Sequence, residues 1–255
     1  MTATPIPRTL GISIFGDMDI SIIPDKPAGR QKILTQWREE KALNEVFALC
    51  EQELSKGHQG YIVYPLIEDS EKLDLKSAAT MFEELKKHHF PSRRLVLLHG
   101  RMSEEEKENA MNAFTSQEAD ILVSTTVIEV GVDVKNATFI VIENAHRFGL
   151  STLHQLRGRV GRNDKPGYCL LITPKKLTPE GTQRMKAMEE IDDGFILSQK
   201  DLELRGTGEF LGTSQKGLSE LKIASLVKDG EILDLAREDA FSLVQQDPDL
   251  KNPKN

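Results

Sequence analysis

The sequence predicts an α/β domain built on a parallel sheet, followed by a small, mainly helical segment. Short apolar runs of strand length recur through the first two thirds of the chain, and helix-like stretches separate them. The runs are unbroken rather than alternating, which is typical of strands covered on both faces. Strands that alternate with helices favour a parallel sheet with right-handed crossovers. After residue 175 the strand signal stops.

Each element of the α/β part has its own local signal. The apolar runs predict strands at 61–67, 94–99, 120–124, 138–143 and 167–173. Helical patterns cover Glu39–Lys56, Ala78–His89, Ser103–Phe114 and Ser151 to about Arg159. Ser103, with Glu106 three residues later, predicts a capping box at the start of the third helix. The single tryptophan, Trp37, is predicted to pack at an edge of the core.

The C-terminal segment predicts helices and loops. A helix begins near Thr178 and places Met185, Met188 and Ile191 on one face. Residues 192–195 interrupt it, and a second helical piece continues to about residue 204. A glycine-rich loop follows at 205–217, and a final amphipathic helix covers about 229–245. We therefore expect a helical appendage without a sheet of its own.

The first 26 residues fit neither part. Two prolines at Pro5 and Pro7 break any helix before Arg8, and the stretch DMDISII at 17–23 predicts a strand with no crossover helix before it. This region is interpreted as the end of another domain whose beginning lies upstream.

Composition narrows the class of protein. The 38% hydrophobic and 29% charged residues indicate a globular chain, and no apolar run is long enough to span a membrane. The start lacks the pattern of a signal peptide, and Cys50 and Cys169 have no metal or redox spacing, which suits a reducing cytoplasm. The net charge of −7 weakly disfavours nucleic-acid binding, although a local basic track can lie on an acidic body.

The stretch at 153–162, LHQLRGRVGR, carries the clearest chemical signal. Gln155, Arg159 and Arg162 are spaced four and three apart, which on a helix places them on one face. Arg suits phosphate recognition because its planar guanidinium stays charged and binds oxygens through two N–H groups. Gly158 and Gly161 are poor helix formers, and such a local conflict is typical of functional sites. The alternative is a solvated basic helix end, since Arg is also favourable at a helix C-terminus.

A phosphate-binding loop to match these arginines is absent. The pattern G-x-x-x-x-G-K-[ST] does not occur, nor does the dipeptide Gly-Lys. A strand followed by an Asp-Glu pair, which would hold Mg²⁺, is also missing. The sequence therefore predicts that something else supplies the nucleotide-binding face.

Three stretches resemble motifs III, V and VI of the superfamily 2 helicases, in that order: Thr2–Thr9, Ser124–Asp133 and Gln155–Arg162. The longer stretches 143–162 and 193–217 resemble the RecG family of bacterial ATP-dependent DNA helicases. Transcription-repair coupling factors are the alternative, because they share motif VI and the downstream hairpin. The sequences at 129–134 and 15–23 favour RecG.

The resemblance implies a domain organisation. Residues 1–26 would be the tail of a first RecA-like helicase domain, 27–175 the second, P-loop NTPase-type RecA-like domain, and 176–255 a hairpin, loop and helix that couple hydrolysis to translocation. ATP and Mg²⁺ would be bound mainly by the first RecA-like domain, upstream together with a wedge domain that engages branched DNA. The whole protein would remodel stalled forks and branch-migrate Holliday junctions, whereas this chain alone would not hydrolyse ATP.

The resemblance also assigns roles to individual residues. Arg159 and Arg162 would face ATP across the cleft between the two RecA-like domains, with Gln155 beside them. The remaining roles are cofactor binding for Gly131 and Asp133, DNA-backbone contact for Thr125, His99, Gly100 and Arg101, and coupling for Thr2, Thr4, Arg184, Arg205 and Gln215. No metal ligands are predicted. A non-catalytic binding module that retains these motifs as relics is the alternative from another class, and the intact spacing of motifs V and VI counts against it.

Overall fold

The computed structural model describes residues 31–65, 79–125, 134–162, 165–205, 229–249 and 251. The predicted strand at 17–23, motif III, most of motif V and the glycine-rich loop lie outside the described residues. Contacts divide the chain into two compact units, Asp25–Asp192 and a second made of Met1–Pro24 with Asp193–Asn255. The domain boundaries predicted from the sequence stay predictions.

The described residues of the unit Asp25–Asp192 form a six-stranded parallel sheet in the order β1-β6-β5-β2-β4-β3. The strands are β1 (Ile33–Glu39), β2 (Gln59–Tyr64), β3 (Leu95–Leu98), β4 (Ile121–Thr125), β5 (Ala137–Ile142) and β6 (Gly167–Thr173). The parallel α/β architecture predicted from the alternating pattern is confirmed.

Helices connect the strands. In this unit they are α1 (Leu43–Ser55), α2 (Glu104–Thr115), α3 (Leu150–Arg157) and α4 (Pro179–Glu190). Residues 79–84 are helical and continue into a π-helical turn, Leu85–His89. The predicted capping box at α2 is confirmed, since Ser103 Oγ accepts from the Glu106 amide at 3.2 Å and Glu106 Oε2 accepts from the Ser103 amide at 2.8 Å.

Strand β1 was not predicted from the sequence. Its sequence, ILTQWRE, contains no unbroken apolar run. This is consistent with an edge strand that pairs with β6 alone among the described strands and leaves Leu34 47% exposed. The helix predicted from Glu39 is wrong at its start: β1 extends to Glu39, a 3₁₀ turn covers Glu40–Ala42, and α1 begins at Leu43. Trp37 is half-buried and donates from Nε1 to Thr173 Oγ1 at 2.7 Å, as expected for a residue at the core edge.

Alternate strand residues face opposite layers. On one face, α1 and the π-helical turn cover an apolar cluster. Among its members are Phe47, Cys50, Leu85, Ile62, Val123, Val141 and Ile172. On the other face lie α3 and α4, whose Leu150, Leu153, Met185 and Met188 are fully buried. The sheet is thus covered on both faces, as the unbroken apolar runs predicted.

The unit that includes Asp193–Asn255 contributes two described helices, α5 (Gly194–Arg205) and α6 (Gly230–Gln246). In α6 the apolar side chains of Ile232, Leu235, Phe241 and Val244 are 65%, 63%, 48% and 48% exposed. Within the described part of the chain, no helix is long and apolar enough to cross a membrane.

Candidate functional site

Helix α3 ends earlier than predicted, which changes the geometry of the arginine stretch. The helix stops at Arg157, and Gly158 is its C-cap. Gly161 has a φ of +66°, a left-handed conformation that glycine adopts without strain. The interpretation that Gln155, Arg159 and Arg162 share one helix face is therefore wrong: Gln155 is exposed on α3, and the two arginines lie in the loop after it.

The loop places Arg159 and Arg162 where their charges interact. Burial, and then the positive charge of Arg162, lower the pKa of Arg159. Arg162 Nε donates to the carbonyl oxygen of Gly158 at 2.9 Å, which holds this side chain against the loop. Two half-buried guanidinium groups that raise each other's electrostatic energy are stabilised by an anion placed beside both. The loop therefore has the charge arrangement of an anion-binding site.

This loop lies at the amino edge of the sheet. A Cβ atom added to Gly161 would lie 2.8 Å from Ile33 Cγ1, the first residue of β1. A Cβ atom on Gly167, the first residue of β6, would lie 3.0 Å from the Gly161 Cα atom. The motif VI loop thus passes directly over the starts of these two strands. Gly131 and Asp133, the predicted nucleotide contacts in motif V, lie outside the described residues.

The predicted DNA-contact residues lie at the opposite, carboxyl edge. Thr125 is the last residue of β4, and His99, Gly100 and Arg101 follow β3 directly. Since β3 and β4 are paired, with Leu98 opposite Ser124, these four residues are neighbours. Strands β3 and β4 have four and five residues and rise about 3.3 Å per residue, so the two predicted sets are separated by about 13–17 Å along the strand direction.

The four residues differ in accessibility. Gly100 and Arg101 are exposed, His99 is half-buried, and Thr125 is 6% exposed. The His99 amide donates to Met102 Sδ at 3.4 Å, while its buried Nδ1 has no hydrogen-bond partner among the described residues. Gly100 and Arg101 are thus the accessible part of this set, and His99 is only partly accessible.

The predicted coupling residue Arg184 contacts the segment that leads into α3. Its Nη1 atom donates to the carbonyl oxygen of Phe148 at 3.0 Å, two residues before α3 begins. Burial, followed by the positive charges of Arg147 and Arg184, lowers the pKa of His146 in the same segment. Thr2, Thr4, Gln215 and the side chain of Arg205 lie outside the described residues.

Sequence reasoning missed Arg157, the last residue of α3. Only 3% of it is exposed, and its guanidinium donates to three backbone carbonyls at the end of α4. Burial raises the pKa of the Cys169 thiol on β6 to about 12, and the nearby charge of Arg157 opposes that rise. One signal pointed to this placement: Arg157 lies seven residues after Leu150, on the apolar stripe of α3.

Sequence reasoning also missed Glu143, which follows β5 at the carboxyl edge. It is 7% exposed, and burial, with a smaller contribution from the negative charge of Glu40, raises its pKa to about 7. Buried Tyr64, at the end of β2, has its pKa raised by burial and by Glu143. Among the described residues, no group of three or more His, Cys, Asp or Glu side chains can hold a metal ion.

The parallel sheet and the arginine loop at its amino edge define the class of domain. The helicase conserved C-terminal domain matches residues 28–164, and domain 3, C-terminal part, of the ATP-dependent DNA helicase RecG matches residues 191–255. The first match identifies the RecA-like C-terminal domain of a helicase. The second distinguishes between the two families left open by the sequence, because it covers the segment after that domain.

Curated relatives agree with this assignment. The ATP-dependent DNA helicase RecG of Aquifex aeolicus is 51% identical over 99% of this chain and 32% of its own length. That of Bacillus subtilis is 48% identical over 100% of this chain and 37% of its own length. A solved structure of RecG bound to a three-way DNA junction superposes with a TM-score of 0.73 at 44% identity, covering 92% of this chain and 30% of that one.

The chain belongs to the RecG family of ATP-dependent DNA helicases. It spans about a third of the length of the curated relatives that it matches.

Proposed function

We propose that this chain is the second RecA-like domain and coupling segment of an ATP-dependent translocase that acts on branched DNA. The observation that carries the proposal is the placement of two half-buried arginines, Arg159 and Arg162, on one loop at the amino edge of the sheet. In the intact protein, meaning this chain together with the upstream RecA-like and wedge domains that we infer, these groups face the nucleotide. Its location is the cytoplasm.

In this proposal Arg159 and Arg162 act electrostatically, by stabilising negative charge on the nucleotide. Phosphoryl transfer places charge on the oxygens of the γ-phosphate, and an arginine inserted from a neighbouring domain contributes about 10³- to 10⁵-fold in rate. ATP and Mg²⁺ are held mainly by the upstream domain, whose phosphate-binding loop this sequence lacks. Arg159 and Arg162, with Gln155, Gly131 and Asp133, complete the site from this side. Hydrolysis then depends on closure of the cleft.

DNA contact belongs to the carboxyl edge. Gly100 and Arg101 are exposed there, beside His99 and Thr125. Such groups hydrogen-bond to phosphate oxygens and position a duplex without reading its sequence. Stalled forks and Holliday junctions are the substrates we propose.

Coupling between the two edges runs through α4 and the segment after it. Arg184 of α4 donates a hydrogen bond to the carbonyl oxygen of Phe148, two residues before α3 begins. We assign the same coupling role to Arg205 and Gln215 and, on the upstream side, to Thr2 and Thr4. A change in the cleft is in this way converted into movement on DNA.

Arg162→Ala tests the assignment of the nucleotide edge. We expect loss of DNA-stimulated ATP hydrolysis by about 10³-fold or more in the intact protein, because the transition state loses its guanidinium partner. Equilibrium binding to a labelled three-way junction should stay within about twofold, since Arg162 lies at the edge of the sheet away from the proposed DNA contacts.

The matched control is Arg38→Ala, which removes an exposed guanidinium from β1. It should leave hydrolysis unchanged. Equal loss of hydrolysis and of junction binding in Arg162→Ala would instead place Arg162 on the DNA backbone and refute the assignment.

A further inference from the structure

Arg157 makes an unusual set of contacts for a residue in the middle of a nucleotide motif. Its Nη1 atom donates to the carbonyl oxygens of Met188 at 3.0 Å and Ile191 at 2.9 Å, and its Nη2 atom donates to that of Asp192 at 3.3 Å. The Asp192 carboxylate lies 3.9 Å away. A single side chain therefore closes the C-terminal end of α4.

The electrostatics favour this arrangement over simple space filling. The last carbonyls of a helix carry the negative end of its dipole, so a cation there is stabilised. Burying a guanidinium nevertheless carries a large desolvation cost, and an apolar side chain of similar volume fills a core site at lower cost. Three hydrogen bonds from one guanidinium to the end of α4 fix the distance and the orientation of that end more closely than an apolar contact does.

The contact lies next to the proposed nucleotide residues along the chain. Arg157 directly precedes Gly158, whose carbonyl oxygen accepts from Arg162 Nε at 2.9 Å. The end of α4 and the guanidinium of Arg162 are therefore attached to adjacent residues of one backbone segment. A displacement of this loop cannot leave the end of α4 in place without breaking the Arg157 contacts.

A second contact fixes the same pair of helices at the other end of α3. Arg184, within α4, donates to the Phe148 carbonyl just before α3 begins. Two attachment points, one before α3 and one at its end, restrain both the position and the rotation of α4. Helices α3 and α4 are thus joined as one body.

We propose that Arg157 is a positioning residue that makes α4 move with the loop carrying Arg159 and Arg162. This inference rests on the proposed function, because it concerns how a nucleotide-driven displacement reaches the coupling segment. Arg157 itself does not touch the nucleotide. Its loss separates hydrolysis from movement along DNA.

The test uses the intact protein and the variants Arg157→Met and Arg157→Lys. Methionine keeps an unbranched apolar stem and loses all the hydrogen bonds, whereas lysine keeps the charge and reaches fewer carbonyls. For Arg157→Met we expect kcat and KM for ATP within about threefold of the native values. The rate of triplex-strand displacement per ATP hydrolysed should fall about tenfold. Typical coupling between two sites corresponds to changes of about 5- to 150-fold, so this loss is of the expected size. Arg157→Lys should recover part of that loss.

Lys32→Met is the matched control. Lys32 approaches the same Asp192 carboxylate at 3.3 Å, but its side chain is 80% exposed. Exposed ion pairs of this kind contribute less than about fivefold to an equilibrium. Displacement per ATP should therefore stay close to native in this variant.

Each outcome decides the question. A parallel fall of hydrolysis and displacement in both Arg157 variants, or no fall in either, overturns the positioning role. If Arg157→Met does not fold, the displacement per ATP hydrolysed is compared between Arg157→Lys and the native protein, and a native value in Arg157→Lys then overturns the positioning role. A native protein that shows no DNA-stimulated hydrolysis refutes the proposed function itself, which is distinct from an active native protein whose Arg157 variants behave normally.

Double substitution adds an independent check. If Arg157 and Arg184 fix one body, the loss of displacement in Arg157→Met with Arg184→Met should be smaller than the product of the two single losses. Multiplicative losses mean that the two contacts act separately, and they count against the single rigid unit.

Discussion

The three arginines of QLRGRVGR differ in environment over a span of six residues. Arg157 is 3% exposed and donates to backbone carbonyls at the end of α4, whereas Arg159 and Arg162 are half-buried and their charges interact. The helix geometry explains the difference, because Arg157 occupies the last position of the apolar stripe of α3 and the other two follow the helix end. A motif that reads as one basic cluster therefore contains one packing residue and two residues suited to an anion.

At the same scale, Glu143 leads to a prediction about pH. Its folded pKa, raised to about 7, lies above the unfolded value of about 4.3, so the folded state keeps its proton longer. The free energy of unfolding should therefore fall as pH rises from about 4 to 7. Glu143→Gln removes this loss and should stabilise the chain at pH 8 by about 1–3 kcal/mol, with little effect at pH 4.

Urea denaturation at the two pH values measures the effect. Glu105→Gln, which replaces an exposed carboxylate on α2, is the control and should show no such pH-dependent difference. An equal change at pH 4 and pH 8 for Glu143→Gln would show that Glu143 titrates as it does in the unfolded chain.

At the scale of secondary structure, the sequence was informative where burial is two-sided. The five unbroken apolar runs each became a strand, and the capping box at Ser103 was found where expected. Strand β1 was not predicted, because an edge strand with one solvated side has no continuous apolar run. The end of α3 was mispredicted because the spacing of Gln155, Arg159 and Arg162 suits a helix. The helix in fact stops at Arg157, with Gly158 as its C-cap.

The turn at Gly161 leads to a prediction about stability. Alanine there must adopt a φ of +66° and place its Cβ atom 2.8 Å from Ile33 Cγ1. A left-handed non-glycine residue costs about 1–3 kcal/mol, and the contact adds to that cost. We expect Gly161→Ala to lower the free energy of unfolding by about 2–4 kcal/mol and to reduce hydrolysis in the intact protein through displacement of Arg162.

Gly57 provides the matched comparison. It has a φ of +80°, but an added Cβ atom would have nothing within 4 Å. Gly57→Ala therefore reports the backbone cost alone, about 1–2 kcal/mol, with hydrolysis retained. If the two variants lose the same free energy of unfolding, the contact with Ile33 does not contribute to the cost of Gly161→Ala.

For the molecule as a whole, topology places the two predicted sets of residues. All six described strands run in the same direction, so residues that follow strands gather at the carboxyl edge. The arginine loop follows a helix that returns to the amino edge, next to Ile33 and Gly167. The parallel fold was predictable from alternation, but the order β1-β6-β5-β2-β4-β3 was not, because it depends on which crossovers skip a strand.

Under the function proposed above, the chain would hold half of a nucleotide site. Arginines stabilise charge on a phosphate that another part must bind, and the sequence contains no phosphate-binding loop. We therefore expect the purified chain to hydrolyse ATP no faster than a blank, with or without junction DNA. A sensitive phosphate-release assay measures this, and the same chain carrying Arg162→Ala reveals any contaminating hydrolase, because a contaminant does not respond to that change. Hydrolysis that depends on DNA and disappears in Arg162→Ala would show that the chain forms a complete site, by itself or through a second copy, and would require a phosphate-binding surface of a different kind.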